Sequence, residues 1–138
     1  MEIATAMRFV QTRDEGVLAT HRPGGRPQMS NIYYAVSDGA IRISVTADRH
    51  KTVNMRRDPR ASLHVTSDDF RSWAVVDCEA ELGPVAESPG DEGMRELVAL
   101  YRLRKGEHPD WSEFEQAMIE QRRLVAALRP VHAYGQRI

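Results

Sequence analysis

Two hydroxyl side chains and two cations lie close together between positions 44 and 51. Ser44 and Thr46 provide the hydroxyls, and Arg49 and Lys51 provide the cations. Such groups bind phosphate oxygens through short, charge-assisted hydrogen bonds. If a helix begins at the same place, the free N–H groups of its first turn add further donors. The stretch therefore predicts an anion site. A solvated basic turn is the alternative, and this stretch alone leaves both interpretations open.

The residues around this predicted anion site indicate a strand that leads directly into a helix. Apolar and polar residues alternate over 41–46, which is typical of a strand with one buried face. Asp48 is a candidate N-cap for a short helix, and Pro59 ends it. The hydroxyls would then end the strand, and the cations would begin the helix.

Alternating segments and tight turns recur along the rest of the chain. Asp38-Gly39 is the strongest hairpin signal, because both residues accept the positive φ angles of a two-residue turn. Strand-like segments lie at 16–22, 27–36, 41–46, 60–66, 73–82, 122–129 and 131–136. Pro130 separates the last two, since a central strand does not tolerate proline. The pattern predicts a mainly β fold, a small barrel of about seven mainly antiparallel strands with peripheral helices.

The peripheral helices are predicted from apolar spacing and capping residues. One amphipathic helix covers about residues 3–12. Asp91 opens a second helix, which Gly106 ends. Ser112, with Glu115 three residues later, has the pattern of a capping box for a third. The last two form a helical pair that interrupts the sheet.

Length, composition and charge limit the possible classes of protein. A chain of 138 residues is expected to form one domain, 1–138. The formal net charge is -1, so no nucleic-acid partner is expected. The longest apolar run, 124–128, is far too short to cross a bilayer, and the N-terminus has no leader pattern. The single cysteine, Cys78, is expected to pack in the core. We therefore expect a cytoplasmic protein without a membrane partner.

The chain carries no recognisable catalytic or metal-binding motif. Its five histidines show no i, i+4 pair and have no cysteine partner, so no metal is expected. No Gly-x-Ser-x-Gly and no phosphate-binding glycine-rich loop ending in lysine is present. Tyr33, Tyr34 and Trp73 either stack on a flat ligand or fill the core. If the protein is an enzyme, a cofactor is expected to supply its chemistry.

Several short motifs together resemble one known family. They are Gly16-Val-Leu-Ala-Thr20, Gly25-Arg-Pro-Gln-Met-Ser-Asn31, Ile43-Ser44, Asp48-Arg-His-Lys-Thr-Val-Asn54, Arg57-Asp-Pro-Arg60, Arg122-Arg-Leu-Val125 and Tyr134-Gly135. Their order and spacing resemble the pyridoxamine 5′-phosphate oxidase-like family, whose fold is a split β-barrel of the flavin-binding type. Within it, the residues at 44, 49, 51 and 54 resemble the actinobacterial branch that uses the deazaflavin coenzyme F420.

The resemblance implies roles for particular residues. Ser44, Arg49 and Lys51 would hold the phosphate of the coenzyme, and Asn54 would brace the helix start or reach the ribityl chain. A further group would contact the ring or the acidic tail. Met29, Ser30 and Asn31 match the strand under the ring, and Trp73 or nearby residues of a second subunit would cover the ring. Arg57, with Arg56 and Arg60, lies close enough in the sequence to meet the tail.

The resemblance also implies a function and a homodimer with its site between subunits. The expected activity is hydride transfer between reduced coenzyme F420 and an unsaturated or quinone-like small molecule. An FMN-binding flavoprotein and a non-catalytic flavin or deazaflavin carrier are the alternatives. Asp77-Cys78 departs from the Glu-Gly of many members. The chain also lacks the Arg-x-His pattern of true pyridoxamine phosphate oxidases, so vitamin B6 oxidation is not expected.

Overall fold

The computed structural model describes residues 1–138, which form seven strands and four helices. The strands are β1 (Glu15–His21), β2 (Pro27–Tyr33), β3 (Ala35–Ser37), β4 (Ala40–Thr46), β5 (Arg60–Thr66), β6 (Trp73–Leu82) and β7 (Arg123–Gln136). The helices are α1 (Ile3–Gln11), α2 (His50–Arg57), α3 (Glu92–Lys105) and α4 (Trp111–Glu120). None of the helices combines the length and apolar character that crossing a bilayer requires.

All seven strands belong to one curled antiparallel sheet in the order β2-β1-β5-β6-β7-β4-β3. Its two edge strands, β2 and β3, are consecutive in the chain and are joined only by Tyr34. Tyr34 is 1% exposed; its N–H donates to the carbonyl of Asp14 (3.0 Å) and its hydroxyl to that of Val10 (2.7 Å). The prediction of a mainly β split barrel is confirmed, with this buried corner linking the two edges.

Two predicted strand boundaries were wrong. The segment 27–36 is divided at Tyr34 into β2 and β3, whereas 122–129 and 131–136 form the single strand β7. Pro130 fits inside β7 because the pairing with β4 stops at Leu128, so no neighbour on that side needs its missing N–H. On the other side, the register with β6 shifts between Asp77 and Cys78. This irregularity absorbs the proline.

Two predicted helix caps were also wrong. Helix α2 begins at His50, and Arg49, not Asp48, is its N-cap residue, without a side-chain cap bond. The N-cap of α4 is Asp110, whose carboxylate accepts the N–H of Glu113 (3.1 Å). Asp is as good a cap as Ser, and here it lies at the correct distance before the first turn. Ser112 is therefore inside α4.

The caps of α3 were predicted correctly. Asp91 accepts the N–H of Met94 (2.8 Å), and Gly106 ends the helix with a φ of 79°. The hairpin at Asp38-Gly39 is also confirmed, since both residues have positive φ angles, 51° and 73°. These signals were readable because each acts within a few residues of the chain.

Two apolar clusters lie on opposite faces of β7. Leu124, Ala126 and Leu128 point into the barrel core, where α1 also packs, while Val125 packs under α3 and α4. Cys78 lies in the barrel core, and burial raises the pKa of its thiol to about 12, consistent with the predicted packing role. Residues of β4 and β7 that point away from the barrel therefore face the helical pair.

Candidate functional site

The cavity that Ser44 and Lys51 line, called the main cavity below, has a volume of about 480 Å³ and lies between the sheet and the helical pair. Its sheet side is polar and includes Asn31, Ser44, Lys51 and Arg123. Its helical side is largely apolar and includes Leu97, Leu100, Tyr101, Phe114, Ala117 and Met118. A volume of this size is within the usual range for small-molecule sites, and an apolar wall facing a few polar groups is their usual lining.

Strand register brings the polar groups of the sheet side together. Ser44 is paired with Val125, so its hydroxyl leaves β4 on the face that carries Val125 and Arg123 on β7. The guanidinium of Arg123 reaches back and donates to the hydroxyl (3.3 Å) and the carbonyl (3.4 Å) of Ser44. It also donates to Oε1 of Gln121 (2.7 Å). These bonds fix the guanidinium beside the cavity.

Arg49, Lys51 and Arg123 form what we call the cationic cluster. None of the three takes part in an ion pair. Burial lowers the pKa of Lys51, and the charges of Arg49 and Arg123 lower it further. Burial and the charge of Arg49 likewise lower the pKa of Arg123. Like charges held together without a carboxylate are electrostatically unfavourable until an anion binds. This arrangement favours an anion site over a solvated basic turn.

The hydroxyls of the predicted anion site have different surroundings. Ser44 lines the cavity, whereas Oγ1 of Thr46 is buried and has no hydrogen-bond partner. A buried hydroxyl without a partner is uncommon. Arg49 is exposed at the start of α2 and does not line the cavity, so it acts on the site through its charge. The binding roles of all four residues stay predictions.

Two of the other predicted residues join α2 to β1 and do not line the cavity. The amide of Asn54, 5% exposed, donates to Oγ1 of Thr20 (3.2 Å). Arg57 donates to the carbonyl of His21 and to Oδ1 of Asn54 (3.3 Å). Asn54 thus ties the middle of α2 to β1, and its two predicted roles, bracing the helix start and reaching the ribityl chain, stay predictions.

The remaining predicted residues lie along β2 or away from the cavity. Met29 is 61% exposed and Ser30 is half-buried. Asn31 lines both the main cavity and a second groove, of about 660 Å³, which the start of β1 also lines. Trp73 packs against His64 and Tyr134, 5.9 Å from each ring, and does not touch the main cavity. Its predicted contact from a second subunit stays a prediction.

Sequence reasoning missed Arg123 and the role of the helical pair as a wall. Arg123 was visible only as part of a family motif, and the register that brings it to Ser44 spans 79 positions. Leu97 and Tyr101 were recognised as a packing stripe. Their spacing shows that they pack, but it does not show which cavity they enclose.

Comparison with known proteins identifies the family. The family model described as pyridoxamine 5′-phosphate oxidase matches residues 4–137. The chain therefore belongs to the pyridoxamine 5′-phosphate oxidase family, as the sequence motifs predicted, and has its flavin-binding split-barrel fold.

Three solved structures show the range of proteins with this fold. A conserved hypothetical protein from Mycobacterium tuberculosis has 28% identity and a TM-score of 0.72 over 98% of this chain and 84% of that one. An F420 reductase has 21% identity and a TM-score of 0.67 over 88% and 89%. HutZ, a heme storage protein from Vibrio cholerae, has 16% identity and a TM-score of 0.69 over 97% and 94%. The last two likenesses concern the fold alone.

Proposed function

We propose that this protein is a deazaflavin-dependent oxidoreductase that transfers a hydride between reduced coenzyme F420 and an unsaturated or quinone-like organic molecule. The observation that carries the proposal is the cationic cluster, which has no carboxylate partner and stands beside an apolar cavity. An F420 reductase of the same fold supports the choice of coenzyme.

The residues present fit the phosphate of such a coenzyme. Lys51 and Arg123 line the cavity beside the Ser44 hydroxyl, and both cations are less well solvated than surface residues. They would hold the phosphate by charge-assisted hydrogen bonds. Arg49 would add its charge from the start of α2. When bound, the coenzyme supplies the hydride chemistry.

The protein itself would orient the two reactants and exclude water. Leu97, Leu100, Phe114 and Met118 present apolar surface to the cavity. An apolar wall excludes water, and the polar contacts made within the site are stronger when water is excluded. The side chains therefore have a positioning role, and none of them needs to act as a nucleophile.

An FMN-binding flavoprotein is the second candidate, because a phosphate would occupy the cationic cluster equally well. A carrier that binds the coenzyme without turnover is the third. The heme storage protein of the same fold adds heme as a ligand to be tested. The three candidates differ in ligand preference and in turnover.

Side-by-side titration at moderate salt tests the proposal. Coenzyme F420 and FMN are followed by fluorescence quenching and hemin by absorbance, with equal protein concentrations. We expect F420 to bind most tightly and the reduced form to be oxidised by at least one member of a quinone and enone panel. Tighter FMN binding with FMN-supported turnover would overturn the coenzyme assignment. Tight F420 binding without turnover across the panel would favour the carrier.

A further inference from the structure

The helical side of the main cavity carries polar side chains among its apolar ones: Arg104, His108, Glu113 and Gln121, besides the hydroxyl of Tyr101. Arg104 lies in the last turn of α3, and His108 lies in the segment between α3 and α4. Both line the cavity, together with Leu100, Phe114 and Met118. They belong to the helical pair and are therefore separate in the fold from Ser44, Lys51 and Arg123.

Arg104 has no protein acceptor. Its side chain makes no hydrogen bond and no ion pair, and its Nε is buried without a partner. The guanidinium stacks on the ring of Tyr33, 4.9 Å from the centroid. Stacking holds the plane of the guanidinium in place but leaves its N–H groups unused. A buried donor without an acceptor is costly, so a ligand oxygen at this position would be favourable.

His108 is a donor with a fixed tautomer. Its Nδ1 accepts the backbone N–H of Asp110 (2.9 Å), so the proton of the neutral ring belongs on Nε2. The ring packs against Tyr101 (5.0 Å) and Phe114 (5.5 Å), which restricts its orientation. The imidazole therefore offers one N–H and no second acceptor.

We propose that Arg104 and His108 bind the carbonyl oxygen of a flat, conjugated acceptor, such as a quinone, in the main cavity. The inference rests on the proposed function, because it assigns the second reactant of that hydride transfer. Apolar and aromatic surfaces around the two donors suit a flat ring, and the donors suit its oxygen.

Such donors would also assist the reaction. In the proposed hydride transfer, a C–H bond of the reduced coenzyme would break and a C–H bond would form at a conjugated carbon of the acceptor, so the coenzyme is oxidised and the acceptor reduced. The displaced π-electron pair moves to the carbonyl oxygen, which afterwards takes a proton from water. The negative charge thus develops where Arg104 and His108 donate. Donors placed at a developing oxyanion lower the barrier.

The test compares two probes of the same shape, with the protein free of coenzyme. Duroquinone carries two carbonyl oxygens, and durene is the corresponding tetramethylbenzene without them. Affinities are measured by quenching of tryptophan fluorescence, since Trp111 packs against Phe114. The variants are Arg104→Met, His108→Phe and His108→Gln. Lys105→Met, at an exposed residue of the same turn whose side chain makes no hydrogen bond, is the matched control.

We expect His108→Phe to weaken duroquinone binding roughly fivefold and Arg104→Met roughly tenfold or more, as loss of a neutral and of a charged hydrogen bond predicts. Durene binding should not change, and His108→Gln, which keeps an N–H donor, should recover part of the loss. Nitrogen-15 NMR of His108 should show the proton on Nε2 and a shift of that signal with duroquinone only.

Equal losses for duroquinone and durene, or no loss for either, would overturn the inference. So would an Arg104→Met variant that binds duroquinone normally but loses affinity for F420, since Arg104 would then contact the coenzyme. Failure of the wild-type protein to bind F420, with donor-dependent duroquinone binding intact, would instead contradict the proposed function alone.

Discussion

Lys51 carries its charge where neither solvent nor a carboxylate compensates it fully. Some exposed arginines are paired with carboxylates, among them Arg60 with Asp58 and Arg129 with Glu81, each at 2.8 Å. Lys51 is instead half-buried beside Arg123, and Arg49 adds a third positive charge. Three cations whose charges act on one another, two of them partly buried and none in an ion pair, are the observation that supports the proposed anion site.

Replacing Lys51 by alanine should weaken coenzyme binding by about 1.5–3 kcal/mol, the usual contribution of a charge-assisted hydrogen bond. Lys105→Ala is the matched control, because Lys105 is also a lysine but lies exposed on α3, and its side chain makes no hydrogen bond. Its affinity should equal that of the wild type. Both are measured by titration with F420. Unchanged affinity in Lys51→Ala would place the phosphate elsewhere.

Anion binding should depend on pH in a direction set by Lys51. Burial and two neighbouring cations lower the pKa of this lysine in the free protein, and a bound anion raises it. The affinity for the anion is therefore greatest below the pKa that Lys51 has in the free protein, and it falls as the pH rises through that pKa. Calorimetric titration with sulfate from about pH 7 to about pH 10 should show the decline. The same decline in Lys51→Met would assign it to another group.

The sequence identified the cationic residues that are close in the chain and missed the one that is distant. Ser44, Arg49 and Lys51 lie on consecutive elements, so their proximity follows from a strand that leads into a helix. Arg123 joins them only through the pairing of β4 with β7. No local signal specifies that pairing, because it depends on the order of strands in the whole sheet.

At the scale of elements, α3 determines where the apolar wall of the cavity stands. Leu97 and Leu100 project from it into the cavity lining, and Val125 of β7 packs beneath. Near its N-terminus, α3 packs against the backbone of residues 84–86. A Cβ atom added to Gly93 would lie 2.4 Å from the carbonyl oxygen of Pro84 and 3.0 Å from the backbone nitrogen of Ala86. These neighbours are backbone atoms, which cannot rotate out of the way as a flexible side chain can.

Gly93→Ala should therefore destabilise the protein by about 1–3 kcal/mol, as expected for overpacking. It should also weaken duroquinone binding, because α3 must move away from residues 84–86. Gly24→Ala is the control, since a Cβ there meets nothing within 4 Å. Denaturant unfolding of both variants measures the difference. Equal stabilities would show that α3 shifts without cost.

Elements that are specified by neighbouring residues in the sequence, such as turns and helix caps, were predictable. Strand boundaries that depend on the pairing of distant strands were not. Asp38-Gly39 and the two caps of α3 act within one turn of chain, and the structure confirms them. Pro130 was interpreted as a strand break because its neighbours were unknown. In the fold, β4 ends before it and β6 absorbs the change of register.

At the scale of the whole molecule, we propose a homodimer. The edge strand β2 exposes Met29 and Tyr33, each 61% accessible, and Tyr134 beside Trp73 is 45% accessible. Exposed apolar side chains along an edge strand are usually covered by a partner or guarded by charge. A second copy would cover them and would bring its own Trp73 towards the groove next to β2.

Sedimentation at micromolar concentration should show a dimer. Met29→Arg, which places a charge on the exposed part of β2, should shift the population towards monomer. Leu103→Arg is the control, because Leu103 is similarly exposed (54%) but lies on α3. Monomeric wild-type protein would contradict the proposal, and so would a dimer that only Leu103→Arg disrupts.

Because the charges of the cationic cluster are uncompensated, binding of an anionic ligand should be detectable as an increase in the stability of the protein. Any compound that binds the folded state and not the unfolded chain raises the free energy of unfolding, by about 2.7 kcal/mol when its concentration is a hundred times its dissociation constant. A compound that brings an anion to Lys51 and Arg123 also relieves their mutual repulsion. Melting temperatures recorded across a metabolite library would therefore identify the physiological ligand without an activity assay. Lys51→Met would separate ligands that use the cluster from those that bind elsewhere.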